Sequence, residues 1–188
     1  MIDVNEEGAN QIFCTADLHL DHYNVIRYCS RPFSSIKHQQ EVLINNWNNV
    51  VPESGTTFIV GDLWFNVDDV RRLFRILNKL NGRKILILGN HDNIKPFTYV
   101  NHGIESVHTS LMLNKEITGF SCSTYLAHDP AVYTALPFNS FMICGHVHDL
   151  FKQSKGCINC GVDVWDYKPV NIKILYEMYL DYIGSDIL

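Results

Sequence analysis

Five short apolar runs of this chain end alike. "CTADLHL" runs out at Asp17 and His19, "FIVGDLW" at Gly61-Asp62, "LILGNHD" at Asn90, His91 and Asp92, "YLAHDP" at His128, and "MICGHVH" at His146 and His148. Each run is rich in β-branched, aromatic or aliphatic residues and reads as a buried strand. In open α/β sheets the carboxyl ends of strands converge on one crevice. The pattern therefore predicts a fold that brings Asp17, His19, Asp62, Asn90, His128, His146 and His148 to one place. A lone His or Asp at a strand end is ordinarily a solvated terminus, but five of the nine histidines fall at these ends. The i, i+2 spacing of Asp17-x-His19 and His146-x-His148 would point each pair to one side of an extended chain. Glycine precedes Asp62, Asn90 and His146, where a missing Cβ permits a sharp turn or a close approach.

Strands are predicted over 11–17, 56–62, 84–90, 106–113, 120–128, 140–146 and 158–164, with 114–119 as a hairpin connection. Helices are predicted over 34–50, 67–80 and 171–183, with a shorter one near 23–29. In the second, Val67, Val70, Leu73, Phe74, Leu77 and Leu80 mark one face, largely opposite Arg71, Arg72, Arg75 and Lys79. Asn171 reads as the N-cap of the last helix and Gly184 as its stop. Arg71-Arg72 and Arg83-Lys84 read as solvated surface. Helices alternate with strands early and strands cluster late, which predicts α/β layers with two sheets. With 188 residues and no repeat or linker-like tract, one domain over 1–188 is expected.

A net charge of -5 and a pI near 5.9 argue against long nucleic acid held on a basic face. A small anionic substrate remains compatible, because bound cations would supply positive charge locally. "MIDVNEEGAN" lacks a signal-peptide pattern, and no apolar run approaches the roughly 18 residues that span a bilayer. A soluble cytoplasmic protein with no membrane partner is expected, with its six cysteines reduced. Cys157-x-x-Cys160 reads as structural thiols, since a zinc site needs further ligands and a redox pair usually opens a helix.

Oxygen and nitrogen ligands without thiolate fit divalent Mn, Fe, Ni, Co or Zn and fit Ca poorly. Seven ligands are too many for one tetrahedral ion and suit two ions bridged by a carboxylate, about 3.5–4 Å apart. The ordered series Asp17-x-His19, Gly61-Asp62, Gly89-Asn90-His91-Asp92, His128 and Gly145-His146-x-His148 resembles the calcineurin-like metallophosphoesterase superfamily. Residues 17–33 and 159–170 further resemble a small bacterial and phage subgroup of it.

The resemblance implies an α/β fold of two packed mixed β-sheets flanked by helices, layered αββα. It implies that Asp17, His19 and His148 hold one divalent ion and that Asn90, His128 and His146 hold a second, with Asp62 bridging. Manganese heads the candidate metals. His91 would be the general acid and Asp92 would orient it. The implied activity is hydrolysis of a small phosphodiester or nucleotide, a diester before a monoester, by hydroxide generated between the ions. His22, Asn24 and Arg31 follow the first motif and are candidate substrate contacts, Arg31 by pairing bidentately with phosphate. Arg27 reads as helix surface, and Trp165 or Tyr167 would stack on a base or pack in the core. The alternatives are a nuclease or protein phosphatase, against which the acidic balance weighs, and a non-catalytic scaffold, against which the filled ligand positions weigh.

Overall fold

A computed structural model describes residues 11–65, 69–137 and 140–185. Val67 of the predicted helical face and the acidic first ten residues lie outside them. In the first sheet, β1 (Ile12–Thr15), β2 (Thr56–Val60), β3 (Arg83–Ile87) and β4 (Ser106–His108) run parallel, and β10 (Val170–Asn171) pairs antiparallel with β1 at the edge. In the second, β6 (Thr124–Leu126), β7 (Phe141–Cys144) and β9 (Cys157–Asn159) run parallel. β5 (Leu111–Leu113) and β8 (Gln153–Ser154) close its two edges antiparallel. Both sheets are mixed, as expected.

The two-residue period of the strands sorts their side chains. Ile12, Cys14, Phe58, Val60, Ile85 and Ile87 face Leu126, Phe141, Ile143 and Ile158 across the space between the sheets. Phe13, Ile59 and Leu86 turn the other way, onto Leu43 and Trp47 of α2 (Ile36–Val50) and Leu73 and Leu77 of α3 (Val70–Leu77). A strand buried on both faces must be apolar along its whole length, which is why these runs do not alternate with polar residues. The outer face of the second sheet carries a smaller cluster of Ala127, Met142, Cys144 and Cys157, packed by Tyr125, Tyr133, Leu136 and Phe151. The last helix, α6 (Ile172–Ser185), sends Ile172, Leu175 and Tyr179 into the core between the sheets.

Helix starts follow cap chemistry. Ser35 accepts the His38 N–H at 3.1 Å, and Asp69 accepts that of Arg72 at 3.3 Å. Asn171 accepts the Lys173 N–H at 2.9 Å and so caps α6 as predicted. Gly184 is not the stop, because the helix continues to Ser185; one helical glycine costs only about 1 kcal/mol relative to alanine.

Other expectations need correction. The run 106–113 is two strands in different sheets, and Thr109-Ser110 is where the chain crosses between them. Residues 114–119 do join antiparallel neighbours, but through a helical turn, α5 (Lys115–Thr118), closed by left-handed Gly119 (φ 71). The strand predicted over 158–164 stops at Asn159, and a 3-10 turn, Val162–Val164, follows. Lys84 is buried rather than solvated, and its Nζ donates to the Leu80 and Gly82 carbonyls at 2.8 and 2.7 Å. Arg72 pairs with Asp21 and Arg83 with Glu105, each at 2.6 Å. All six cysteines are free, and Cys14, Cys144, Cys157 and Cys160 are buried. Among the described residues, no helix is long and apolar enough to cross a membrane.

Candidate metal centre

Each expected ligand lies a few residues beyond its strand, not on it. β1 ends at Thr15, β2 at Val60, β3 at Ile87, β6 at Leu126 and β7 at Cys144. The backbone there is left-handed at Asp17 (φ 56), His19 (φ 44), Asp62 (φ 54), His146 (φ 74) and His148 (φ 47). The i, i+2 pairs therefore do not converge through an extended chain, as their spacing predicted. Such conformations cost about 1–3 kcal/mol each and persist only where the surroundings over-determine them.

Cross-bonding between loops does this. The Asp17 N–H donates to the Gly61 carbonyl at 3.1 Å, His19 N–H to the Asp62 carbonyl at 2.9 Å, and Gly145 N–H to the His128 carbonyl at 3.1 Å. The His146 N–H donates to the Asp17 carboxylate at 3.0 Å, and the His91 N–H to Asp62 Oδ1 at 2.9 Å. The loops approach so closely that a Cβ on Gly89 would overlap the Asp62 side chain, and one on left-handed Gly61 would overlap the His128 ring.

Asp92 is part of this clamp. Its Oδ2 accepts the N–H groups of Asp62 and Gly89 at 2.8 and 2.9 Å, its Oδ1 that of Leu63 at 3.0 Å, and Tyr99 of the short α4 (Pro96–Val100) adds its hydroxyl at 3.4 Å. No hydrogen bond joins it to the His91 ring. The expectation that Asp92 orients His91 is thus replaced: a buried carboxylate goes to the backbone donors that surround it.

The loops bring all seven expected ligands together. Asp17, His19 and His148 offer ligand atoms within 4.8 Å of one another, and so do Asp17, Asp62 and His128. Asn90 Oδ1 lies 3.1 Å from His128 Nε2 and 2.9 Å from His146 Nδ1. One oxygen, Asp62 Oδ2, lies 3.5 Å from His19 Nε2 and 3.4 Å from His128 Nε2.

Electrostatics call for positive charge here. Burial lifts the Asp17 carboxyl to about 6 and depresses the His19 imidazole to about 3. Both ring nitrogens of His19 are buried without a hydrogen-bond partner, beside two carboxylates. Burial would raise Asp62, but the His128 imidazole and the His91 N–H outweigh it and hold the carboxyl near 2. Burial would lower His128, yet Asp62 and Asp17 overcome it and lift the imidazole to about 9. His128 Nδ1 faces the Val60 carbonyl at 2.8 Å and must be its donor, which turns Nε2 onto the oxygens of Asn90 and Asp62. An orphaned imidazole between carboxylates, and a second imidazole facing only oxygens, fit divalent cations held by O and N donors.

Sequence reasoning missed what stands behind His148. Its Nδ1 lies 2.7 Å from Asp163 Oδ2, and Cys29 Sγ lies 3.2 Å from the same nitrogen. Burial would lower this imidazole, but Asp163 and Cys29 raise it to about 10. The ionised Asp163 can only accept, so Nδ1 carries the proton and Nε2 is left for a metal. Asn159 donates to the His148 carbonyl at 2.7 Å and steadies the same loop. The one sequence signal for Asp163 and Asn159 is a polar residue inside an otherwise apolar run.

Arg31, expected to meet phosphate, is 4% exposed and fully used by the protein. Its Nε and Nη2 hold Asp163 at 2.7 and 2.8 Å, and its Nη2 and Nη1 donate to the carbonyls of Asp17 and Leu18. Trp165 donates to the Asn159 carbonyl beneath Lys152, and Tyr167 packs edge-on against Phe33. Arg27 is exposed, as its reading as helix surface predicted. His22 and Asn24, at the start of α1 (Tyr23–Tyr28), do line a cavity of about 770 Å³ that His19, His91, His146 and His148 also border.

Two mixed sheets whose loops gather Asp, Asn and His around paired carboxylates form a site suited to divalent cations. Residues 11–155 match the calcineurin-like phosphoesterase family, and the chain belongs to it. It is 30% identical over 176 residues to the uncharacterized protein MJ1445 of Methanocaldococcus jannaschii, covering 89% of this chain and 90% of that one. The crystal structure of AQ665, a protein of unknown function from Aquifex aeolicus, matches with a TM-score of 0.68 and 23% identity over 89% of this chain and 98% of its own. A Vps29 mutant from Entamoeba histolytica matches with a TM-score of 0.43 and 18% identity over 79% of this chain and 72% of its own. Family membership makes the chemistry metal-dependent phosphoester hydrolysis, usually with two divalent ions.

Proposed function

We propose that the protein hydrolyses a small phosphodiester or a nucleotide with two divalent ions, manganese first among the candidates. Asp17, His19 and His148 would hold one ion, and Asn90, His128 and His146 the other. The observation that carries this reading is Asp62 Oδ2, within 3.5 Å of an imidazole from each set. When bound, the ions supply an activated water and stabilise charge on the phosphoryl oxygens.

The remaining work falls to the chain. His91 is half-buried at the cavity, with its backbone tied to Asp62 and its ring 5.4 Å from that of His19. In this reading it gives a proton to the leaving oxygen, a contribution typically of 10²–10⁴-fold. Asp92 holds the Asp62 and Gly89 turns in register. Asp163, itself held by Arg31, fixes the His148 ring. Among the described residues, no Lys or Arg lines the cavity, which favours a small substrate over a polyanion. Free buried thiols suit a reducing cytoplasm.

The test is hydrolysis of bis-p-nitrophenyl phosphate against p-nitrophenyl phosphate by metal-stripped protein given Mn²⁺. The expected result is metal-dependent turnover, faster for the diester, lost in Asp62→Asn and reduced in His91→Ala. No turnover with any divalent metal, despite metal bound to the protein, would overturn the reading.

A further inference from the structure

We infer that the outer wall of the 770 Å³ cavity is a subsite for a planar aromatic base carried by the leaving alcohol of the substrate. This rests on the phosphoesterase reading above and adds a substrate class to it. Leu20 and Trp64 form an isolated β-bridge between the first two ligand loops, and the Phe65 N–H donates to the Leu20 carbonyl at 3.2 Å. The bridge buries Leu63 and Trp64 and turns Phe65 outward, 41% exposed, into the cavity. The Phe65 ring lies flat on His22, with centroids 3.8 Å apart and planes 6° from parallel. Tyr28, 75% exposed, stands edge-on to His22, and Leu150, 78% exposed, belongs to the same cavity.

A single exposed aromatic is ordinary. Here several apolar side chains line one cavity whose inner end is the ligand cluster. Charge narrows what they can receive. Among the described residues, the lining includes Asp149 and no Lys or Arg, so an uncharged ring fits this wall better than a second phosphate. Asn24 offers both an amide donor and an acceptor to the edge of such a ring. Position identifies which half of the ester binds there. Phe65 lies 5.5 Å from the His91 ring, the group placed to protonate the leaving oxygen, so the departing alcohol carries the base. The stacking groups are thus Phe65 and His22, not the Trp165 or Tyr167 that sequence reading offered.

The experiment is titration calorimetry on Mn²⁺-loaded protein with two non-hydrolysable ligands. One is the 5′-phosphonate analogue of AMP, with CH₂ in place of the ester oxygen, and the other is the same analogue of ribose 5-phosphate. The base should tighten binding roughly tenfold, the scale of one base–aromatic stack. Phe65→Ala should bring the ratio close to one, and Phe65→Trp should retain it. Tyr28→Ala, at a solvent-exposed side chain whose loss does not endanger folding, should reduce the ratio severalfold. Equal affinities in the wild type, no detectable binding of either ligand, or a preference that survives both alanine substitutions would overturn the inference. Hydrolysis of bis-p-nitrophenyl phosphate is scored separately. Turnover without a base preference sinks the subsite alone, and a base preference without turnover sinks the hydrolysis alone.

Discussion

The two halves of the ligand cluster are supported in different ways. Around Asp17, His19 and His148 the support comes from side chains distant in sequence: Asp163 bonds His148, and Arg31 bonds Asp163 across 132 residues. Around Asp62, Asn90 and His128 it comes mainly from backbone: the Val60 carbonyl orients His128, and the amide groups of Asp62, Leu63 and Gly89 converge on Asp92. A side-chain brace can be removed by one substitution that spares the fold. The Asp92 brace also rests on one side chain, but its loss would release the loop backbone that carries Asp62 and Gly89. The first half should therefore be separable from the second.

The largest expected effect ignores that division. Asp62→Asn removes the carboxylate that both halves share, so calorimetry with Mn²⁺ should show both binding steps weakened and turnover lost. His91→Ala comes next and should leave both binding steps intact while reducing turnover 10²–10⁴-fold. Loss of metal in that variant would place His91 among the ligands instead. Asp163→Asn should weaken one binding step 10–100-fold, the usual cost of losing the group behind a ligating histidine. The second step should not change, and equal weakening of both would show that the halves are coupled.

A further effect is graded with pH. In metal-free protein the His148 and His128 imidazoles are raised to about 10 and about 9, above the ordinary value near 6.5. Stability from these pairs is fully present below about 6.5 and is lost as pH rises through the raised values. A cation must displace those protons, so apparent Mn²⁺ affinity should rise with pH between 6.5 and 8.5, about tenfold per unit for each proton released. Asp163→Asn should flatten the slope of one step, and ¹H NMR titration of the His148 ring should show its value falling toward the ordinary one.

Much of the site was legible because the ligand residues carry two local signals, an apolar run and a polar group just after it. Asp17, His19, Asp62, Asn90, His128, His146 and His148 do converge, although five of them stand on left-handed backbone that residue spacing cannot reveal. Arg31 was misread because an arginine beside a motif looks the same whether it faces substrate or Asp163. Asp92 was misread because its partners are amide groups, which carry no residue-type signal. The break at Thr109-Ser110 was hidden for a similar reason, since Ser106–His108 and Leu111–Leu113 suit either sheet equally well.

The sequence by itself determined where the apolar runs lie, which polar side chains follow them and hence the class of chemistry. Those follow from hydrophobic period and residue type, which act within a few residues. Only the tertiary structure decided how the strands divide between two sheets, which acid stands behind His148 and which aromatic faces the cavity. These depend on contacts between segments far apart in the chain, and such contacts exist only once packing has brought the segments together.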